Sequence, residues 1–152
     1  MRPEEMQEHF DKLKNMYYSA PINEIFPPKL TIKEDFASIS MEIKSDYHHA
    51  AGSLHGSVYF KLLDDSAFFA AQSMVNDLFV FTASFNTYIF KPVVSGILRA
   101  EGKVSRKGGM VLSESEIFDE AGDLVAKGSG LFVRSRMPLT EKIGYRLNIK
   151  EI

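Results

Sequence analysis

The sequence predicts an α+β domain in which an antiparallel sheet wraps around one long buried helix, with an extra helix at the N-terminus. Three observations carry this. The segment Ser57–Val75 is apolar over most of its circumference at helical spacing, every segment after it alternates with period two, and Pro3–Tyr17 is amphipathic at period 3.6. With 152 residues the chain reads as one domain, with a core over about 30–136, an N-terminal helix over 3–18 and a tail over 137–152.

Met6, Phe10, Leu13 and Tyr17 recur at helical intervals with Glu and Lys between them, which predicts an amphipathic flank or lid. Pro21, Pro27 and Pro28 then impose an extended connection. From Ala37 the period changes. Ala37, Ile39, Met41 and Ile43 alternate with Ser38, Ser40 and Glu42, as in a strand with one wet face, and 44–53 reads as a loop. In the long helix the polar residues Ser57, Lys61, Asp64, Asp65 and Gln72 share one stripe about 100° wide, so the rest of its surface belongs inside the fold. Strands follow over Phe79–Phe90, Leu98–Ser105, Met110–Phe118 and Leu124–Arg134, separated by turns at Arg106–Gly109 and Asp119–Gly122. Gly128 and Gly130 share a face of the last strand, where the helix is expected to press closely. A long edge strand invites pairing with a second copy, as a homodimer or a dimer of dimers.

Composition excludes several functions. A formal net charge of −2 gives no reason to expect nucleic acid or an anionic membrane as partner. Without cysteine there is no thiolate nucleophile, disulfide or cysteine-held zinc. His48, His49 and His55 offer no i, i+4 pair on a helix, so no metal is expected. No segment resembles a signal peptide or a membrane span, and a cytoplasmic location is expected.

The chemistry concentrates at Leu54-His55-Gly56-Ser57 and at Asp64. If Gly56 opens the helix, its free N–H points outward at the positive end of the helix dipole, a place to hold a carbonyl oxygen. Asp64 on so apolar a helix is costly unless it is paired or used. Nine positions at about 1.5 Å per residue put His55 roughly 12–14 Å from Asp64. The two can share a site only if it is made from two chains.

The run from His49 to Asp64, with the order of elements, resembles the hotdog-fold acyl-CoA thioesterases, in the phenylacetyl-CoA (PaaI-like) branch. Their pattern is Asn, five residues, His-Gly-Gly, then Leu-x-Asp on the helix. Here His55, Gly56, Leu62 and Asp64 match, as do Asn86 before Tyr88, Pro92, Gly96 and Gly122 before Leu124-Val125-Ala126. His49 stands in place of the Asn and Ser57 in place of the second Gly.

The resemblance implies a hotdog fold and hydrolysis of an acyl-thioester. Gly56 would polarise the thioester carbonyl, His55 would orient substrate or water, Asp64 of the partner subunit would act as base or nucleophile, and Thr82 would help place the water. His49 and Ser57 would stand beside the substrate. No cofactor is implied, coenzyme A entering only as part of the substrate, and the carrier is coenzyme A or acyl carrier protein.

Plainer readings stand beside these. His55 can be a structural residue, and Asp64 a buried acid paired with Lys61, although Asp65, at i, i+4 from Lys61, suits an exposed pair better. Lys103, Arg106, Lys107, Arg134 and Arg136 are contacts for the phosphates of coenzyme A or a solvated rim, Arg106 and Lys107 being the binding candidates. Phe68, Phe69, Phe79, Phe81, Phe85 and Phe90 are core, with some lining an acyl tunnel. The rival to an enzyme is a non-catalytic acyl-thioester-binding or regulatory protein on the same fold. A hydratase fits less well, because that branch keeps its Asp and His in one loop-and-helix motif.

Overall fold

In the computed structural model, which describes residues 1–147, helix α1 (Pro3–Ser19) and the short α2 (Ile22–Ile25) lead into strands β1 (Lys29–Lys33) and β2 (Phe36–Ile43). The long helix α3 (Gly56–Gln72) follows, and then β3 (Leu78–Ile89), β4 (Gly96–Arg106), β5 (Met110–Phe118) and β6 (Leu124–Pro138). The six strands form one antiparallel sheet in the order β1-β2-β4-β5-β6-β3. This is the hotdog fold, with α3 lying along the inner face of the sheet.

The sheet can enclose a helix because its inner face is built from small residues where the helix passes. Ala37, Gly102, Ser115 and Gly128 stand in register across four strands, with Ala100 and Ser113 close by. A Cβ on Gly102 would collide with the backbone of Ser66 and Ala67 on α3. The close approach of helix to sheet therefore falls at Gly102 on β4. Gly128 and Gly130, expected to admit the helix, instead lie beneath the Phe85 ring, whose carbons would stand 2.5 Å from an added Cβ. The sequence pattern finds small residues but not what lies over them.

Leu62, Leu63, Ala67 and Ala70 bury the sheet-facing side of α3. On its other side the Tyr17 ring from α1 packs edge-on against Phe69, centroids 4.8 Å apart. Gln72, assigned to the polar stripe, is fully buried. Its side-chain amide donates to the carbonyls of Val75 (2.8 Å) and Leu78 (2.9 Å) and accepts from the Val80 N–H (2.9 Å). It thereby satisfies the backbone of the turn into β3, where α3 ends, three residues before the expected Val75.

Three further boundaries differ from expectation. β1 and α2 lie in what reads as an extended connection, because segments of five and four residues are too short to show a period. The loop 44–53 holds a 3-10 turn, Ser45–Tyr47, and a bridge between His48 and Leu54. The last strand runs on to Pro138, held by pairing with Leu78, so the tail does not begin at 137. Beyond it, Tyr145 reaches back to His9 of α1 at 2.6 Å, and the part of the expected tail over 148–152 lies outside the described residues.

Gly102→Ala is expected to destabilise the fold by about 1–3 kcal/mol, since the Cβ can be admitted only by lifting α3 off the sheet. Gly109→Ala, where a Cβ meets open space, should change stability little. Denaturant midpoints of the two variants check the contrast.

Candidate active site

The N-terminus of α3 is capped by His55. Its backbone is extended (φ −63°, ψ 140°) and its Nδ1 accepts a hydrogen bond from the Ser57 N–H at 3.1 Å. A backbone amide can only donate, so in the neutral ring the proton sits on Nε2, which has no hydrogen-bond partner among the described residues. The Ser57 hydroxyl adds a second bond to the same Nδ1 at 2.7 Å. A glycine at 57 would leave the ring held by one bond only, so the serine orients the imidazole. The Gly56 N–H has no hydrogen-bond partner among the described residues and stands at the positive end of a 17-residue helix.

Two hollows flank this helix end. One, of about 520 Å³, is lined by His55, Ser57, Tyr47 and His48. The other, of about 340 Å³, is lined by Gly56, His49, Tyr59, Ile89 and Phe90. The structure thus brings His49 to Gly56. Its ring is engaged within its own turn, Nδ1 accepting from the Ala51 N–H (3.1 Å) and Nε2 3.0 Å from the Ser53 hydroxyl.

Asp64 lies two turns further along α3, where Thr82 of β3 donates its hydroxyl to Asp64 Oδ1 at 2.9 Å. It opens on an apolar cavity of about 430 Å³ walled by Tyr17, Phe68, Phe69, Phe79, Phe81 and Met137. Burial pushes the Asp64 carboxyl up to about 6, with the Thr82 hydrogen bond and Lys61 acting against that rise and Asp65 adding to it. A carboxylate that titrates near neutrality, with an apolar hollow beside it, is suited to accept a proton from water.

Asp65 does pair with Lys61, at 2.5 Å, but the pair is not exposed. Their side chains retain only 19% and 14% accessibility beneath α1. Of the phenylalanines, Phe68, Phe69, Phe79 and Phe81 line the Asp64 cavity, Phe90 lines the hollow at Gly56, and Phe85 covers Gly128 and Gly130. Tyr17 and Met137 complete the cavity wall unannounced by the sequence. Their only signals, a place on the α1 apolar face and a place at a strand end, are those of ordinary packing.

Within one protomer the two halves stay apart. Gly56 and Asp64 are separated by about 12 Å of helix and open on different hollows. What they share is the edge strand: Gly56 packs towards Ile89 at the end of β3, and Asp64 bonds Thr82 in its first half. Arg106 and Lys107 join neither half. Lys107 pairs with Asp35 at 2.5 Å, and the Asp35 N–H bonds Ser73 just past the C-terminus of α3, so this basic pair sits at the end of the helix away from Gly56.

The family model of the thioesterase superfamily matches residues 51–126, half of the chain and the whole of the segment carrying His55, Gly56, Asp64 and Thr82. The chain belongs to the thioesterase superfamily. A relative from Saccharolobus solfataricus, provisionally named an esterase, is 28% identical over 102 residues, 66% of this chain and 73% of that protein. The solved structure of PaaI from the Escherichia coli phenylacetic acid degradation operon superposes with a TM-score of 0.77 at 20% identity, over 87% of this chain and 99% of that one. A thioesterase from Haemophilus influenzae gives 0.71 at 19% identity, over 78% and 85%. These likenesses carry the hotdog fold, and the superfamily points to a hydrolase at the level of the family. Among the described residues no helix is long and apolar enough to cross a membrane.

Because Asp64 holds its proton more tightly in the folded chain than its usual carboxylate value would allow, its charged form burdens the fold above pH 6. That burden fades as the pH falls through 6 towards 4. Asp64→Asn is therefore expected to be more stable than the parent by about 1–3 kcal/mol at pH 8, with the difference shrinking near pH 4. Thr82→Val, which removes the hydrogen bond that favours the anion, should move the Asp64 titration upward. Denaturation at the two pH values and carboxyl NMR titration check these.

Proposed function

We propose that this chain hydrolyses acyl-thioesters of coenzyme A or acyl carrier protein, with Asp64 as the general base. The observation that carries this reading is the Asp64 carboxylate itself, held by Thr82, raised to about 6 and opening on an apolar cavity walled by aromatic rings. In this reading the acyl group lies in that cavity and the thioester carbonyl oxygen lies against the Gly56 N–H. The Nε2–H of His55 is the second donor, its direction set by Ser57. Asp64 takes a proton from water as the water oxygen attacks the carbonyl carbon. The tetrahedral intermediate collapses by breaking the C–S bond, the thiolate leaves, and the proton on Asp64 passes to it. The products are a carboxylic acid and a thiol, and no metal or redox group takes part.

The two halves of such a site need two chains. β3 is an edge strand whose Phe81, Tyr88 and Ile89 are about half exposed, together with the adjoining Phe90, a surface suited to a second copy. Antiparallel pairing of β3 with its twin about an axis at Asn86 would, with the bulge between Thr82 and Ser84 in each strand, set Ile89 against Thr82 of the partner subunit. Each Gly56 would then lie beside the partner's Asp64. In this reading the homodimer is the working unit, and the exposed edge of β3 with its apolar side chains is what supports it.

A thiol-release screen over acyl-CoAs of different chain length, aliphatic and aromatic, tests the proposal. Turnover that falls by about 10²–10⁴ in Asp64→Asn, with acyl-CoA binding retained, is the expected result. Binding without turnover in the parent would favour the non-catalytic acyl-thioester binder instead. The shared site has its own test. His55→Ala and Asp64→Asn homodimers, each nearly inactive, should recover about a quarter of parental activity after subunit exchange, because half the dimers are mixed and each has one intact site. Activity that stays at the background of the two variants, with exchange verified by mass spectrometry, would place the site within one chain.

A further inference from the structure

The Lys61–Asp65 pair is not explained by stability. Both groups are largely desolvated, and a buried ion pair is commonly no more stable than an apolar pair of the same volume. Its placement suggests another use. Lys61 precedes Asp64 by three residues and Asp65 by four, so its single ammonium can reach either carboxylate along the face of α3. In the structure it goes to Asp65, and three side chains, one from each of three helices, keep it there. Asp65 Oδ2 accepts from Lys61 Nζ at 2.5 Å and from the Tyr17 hydroxyl at 2.6 Å. Asn23 Oδ1 of α2 accepts from the same ammonium at 2.8 Å, and Tyr17 oxygen stands 3.5 Å from it. Asn23 is itself anchored, its amide donating to the Tyr17 carbonyl at 2.6 Å. Asp64 Oδ2, by contrast, has no hydrogen-bond partner among the described residues, and Oδ1 has only the Thr82 hydroxyl.

We propose that Asp65, with Tyr17 and Asn23, acts as a positioning group that holds the Lys61 ammonium off the neighbouring Asp64 and so leaves that carboxylate free to serve as base. This rests on the reading of Asp64 given above. The charged and titratable groups facing Asp64 are Lys61 and Asp65 on its own helix and Tyr17 on α1, while β3 contributes the uncharged Thr82 hydroxyl. Lys61 and Asp65 act on Asp64 in opposite senses, while burial, the largest influence, raises its proton affinity against the Thr82 hydrogen bond. Were the ammonium to swing to Asp64, it would occupy the lone pair that water needs and weaken the base. α1 and α2 thus act on the chemistry without touching the reacting atoms, by fixing where one cation sits.

The test uses Asp65→Asn, Lys61→Met and the charge-keeping Asp65→Glu in the 152-residue chain. Two quantities are read: the Asp64 carboxyl titration by NMR, and the acid limb of the pH dependence of kcat/KM for the best acyl-CoA substrate. Asp65→Asn should lower the Asp64 titration by about 1 unit, Lys61→Met should raise it, and Asp65→Glu should leave it near the parental position. The acid limb should follow in each case. Proximity of the two charges alone would give additive shifts. If Asp65 holds the ammonium away, Asp65→Asn should lower the Asp64 titration less in a Lys61→Met background than in the parent, and strictly additive shifts overturn the proposal. Shifts of the same sign in both, or none in either, overturn the proposal. Should Asp65→Asn fail to fold, Lys61→Met decides alone, an unmoved Asp64 titration counting against. If the NMR titrations move in opposite directions while the kinetic limb stays in place, the electrostatic arrangement stands and Asp64 is not the base.

Discussion

The structure depends on how closely α3 lies to the sheet. With Gly102 beneath the Ser66–Ala67 peptide and Ala37, Ala100, Ser113 and Ser115 around it, the helix backbone sits almost on the strands. That depth decides which residues of β3 the helix can reach. It places Gly56 towards Ile89 and brings Asp64 within hydrogen-bond distance of Thr82. The approach has a local cost, since the hydroxyls of Ser113 and Ser115 are buried with no partner among the described residues. Larger apolar side chains there would avoid that cost but would hold the helix away from β3.

A second cost lies on the helix itself. Asp64 breaks the rule that buried carboxylates are paired, and its proton affinity rises as a result. A cation stands three residues before it on the same helix, at Lys61, and the chain directs that cation to Asp65 instead. Local stability is given up at one position that the fold could easily have neutralised. Such departures mark functional positions more often than structural ones. His55 and Ser57 show the same economy of means at the other half, one histidine nitrogen being committed as a helix cap and the other left without a partner among the described residues.

α1 is more than a cover. Its Tyr17 packs on Phe69, walls the cavity beside Asp64 and donates to Asp65, so one residue joins shape and electrostatics. The helix is in turn tied to the end of α3 through His9, whose two nitrogens meet the Gln72 carbonyl at 3.0 Å and the Tyr145 hydroxyl at 2.6 Å. Burial holds the His9 imidazole below its usual range, so it stays neutral and keeps both contacts. Changes in α1 should therefore be felt at Asp64 through geometry as much as through charge.

Much of this was legible in the residues alone. Period two and period 3.6 are local properties, so α1, α3, β2 and the four later strands could be read directly, as could the helix opening at Gly56 and the distance that separates it from Asp64. The motif from His55 to Asp64 carried the resemblance, and with it the fold and the family. Tertiary structure decided what depends on residues far apart in sequence. It assigned the helix contact to Gly102 and gave Gly128 and Gly130 to the Phe85 ring, because a glycine's neighbours across a sheet leave no trace in its own strand. It buried Gln72 and the Lys61–Asp65 pair, since a polar stripe on a helix is wet only if nothing covers it, and here β3 and α1 do. It also chose, among six phenylalanines of equal hydrophobicity, the four that line the Asp64 cavity. Periodicity tells which face of an element is apolar, but only packing determines what that face meets.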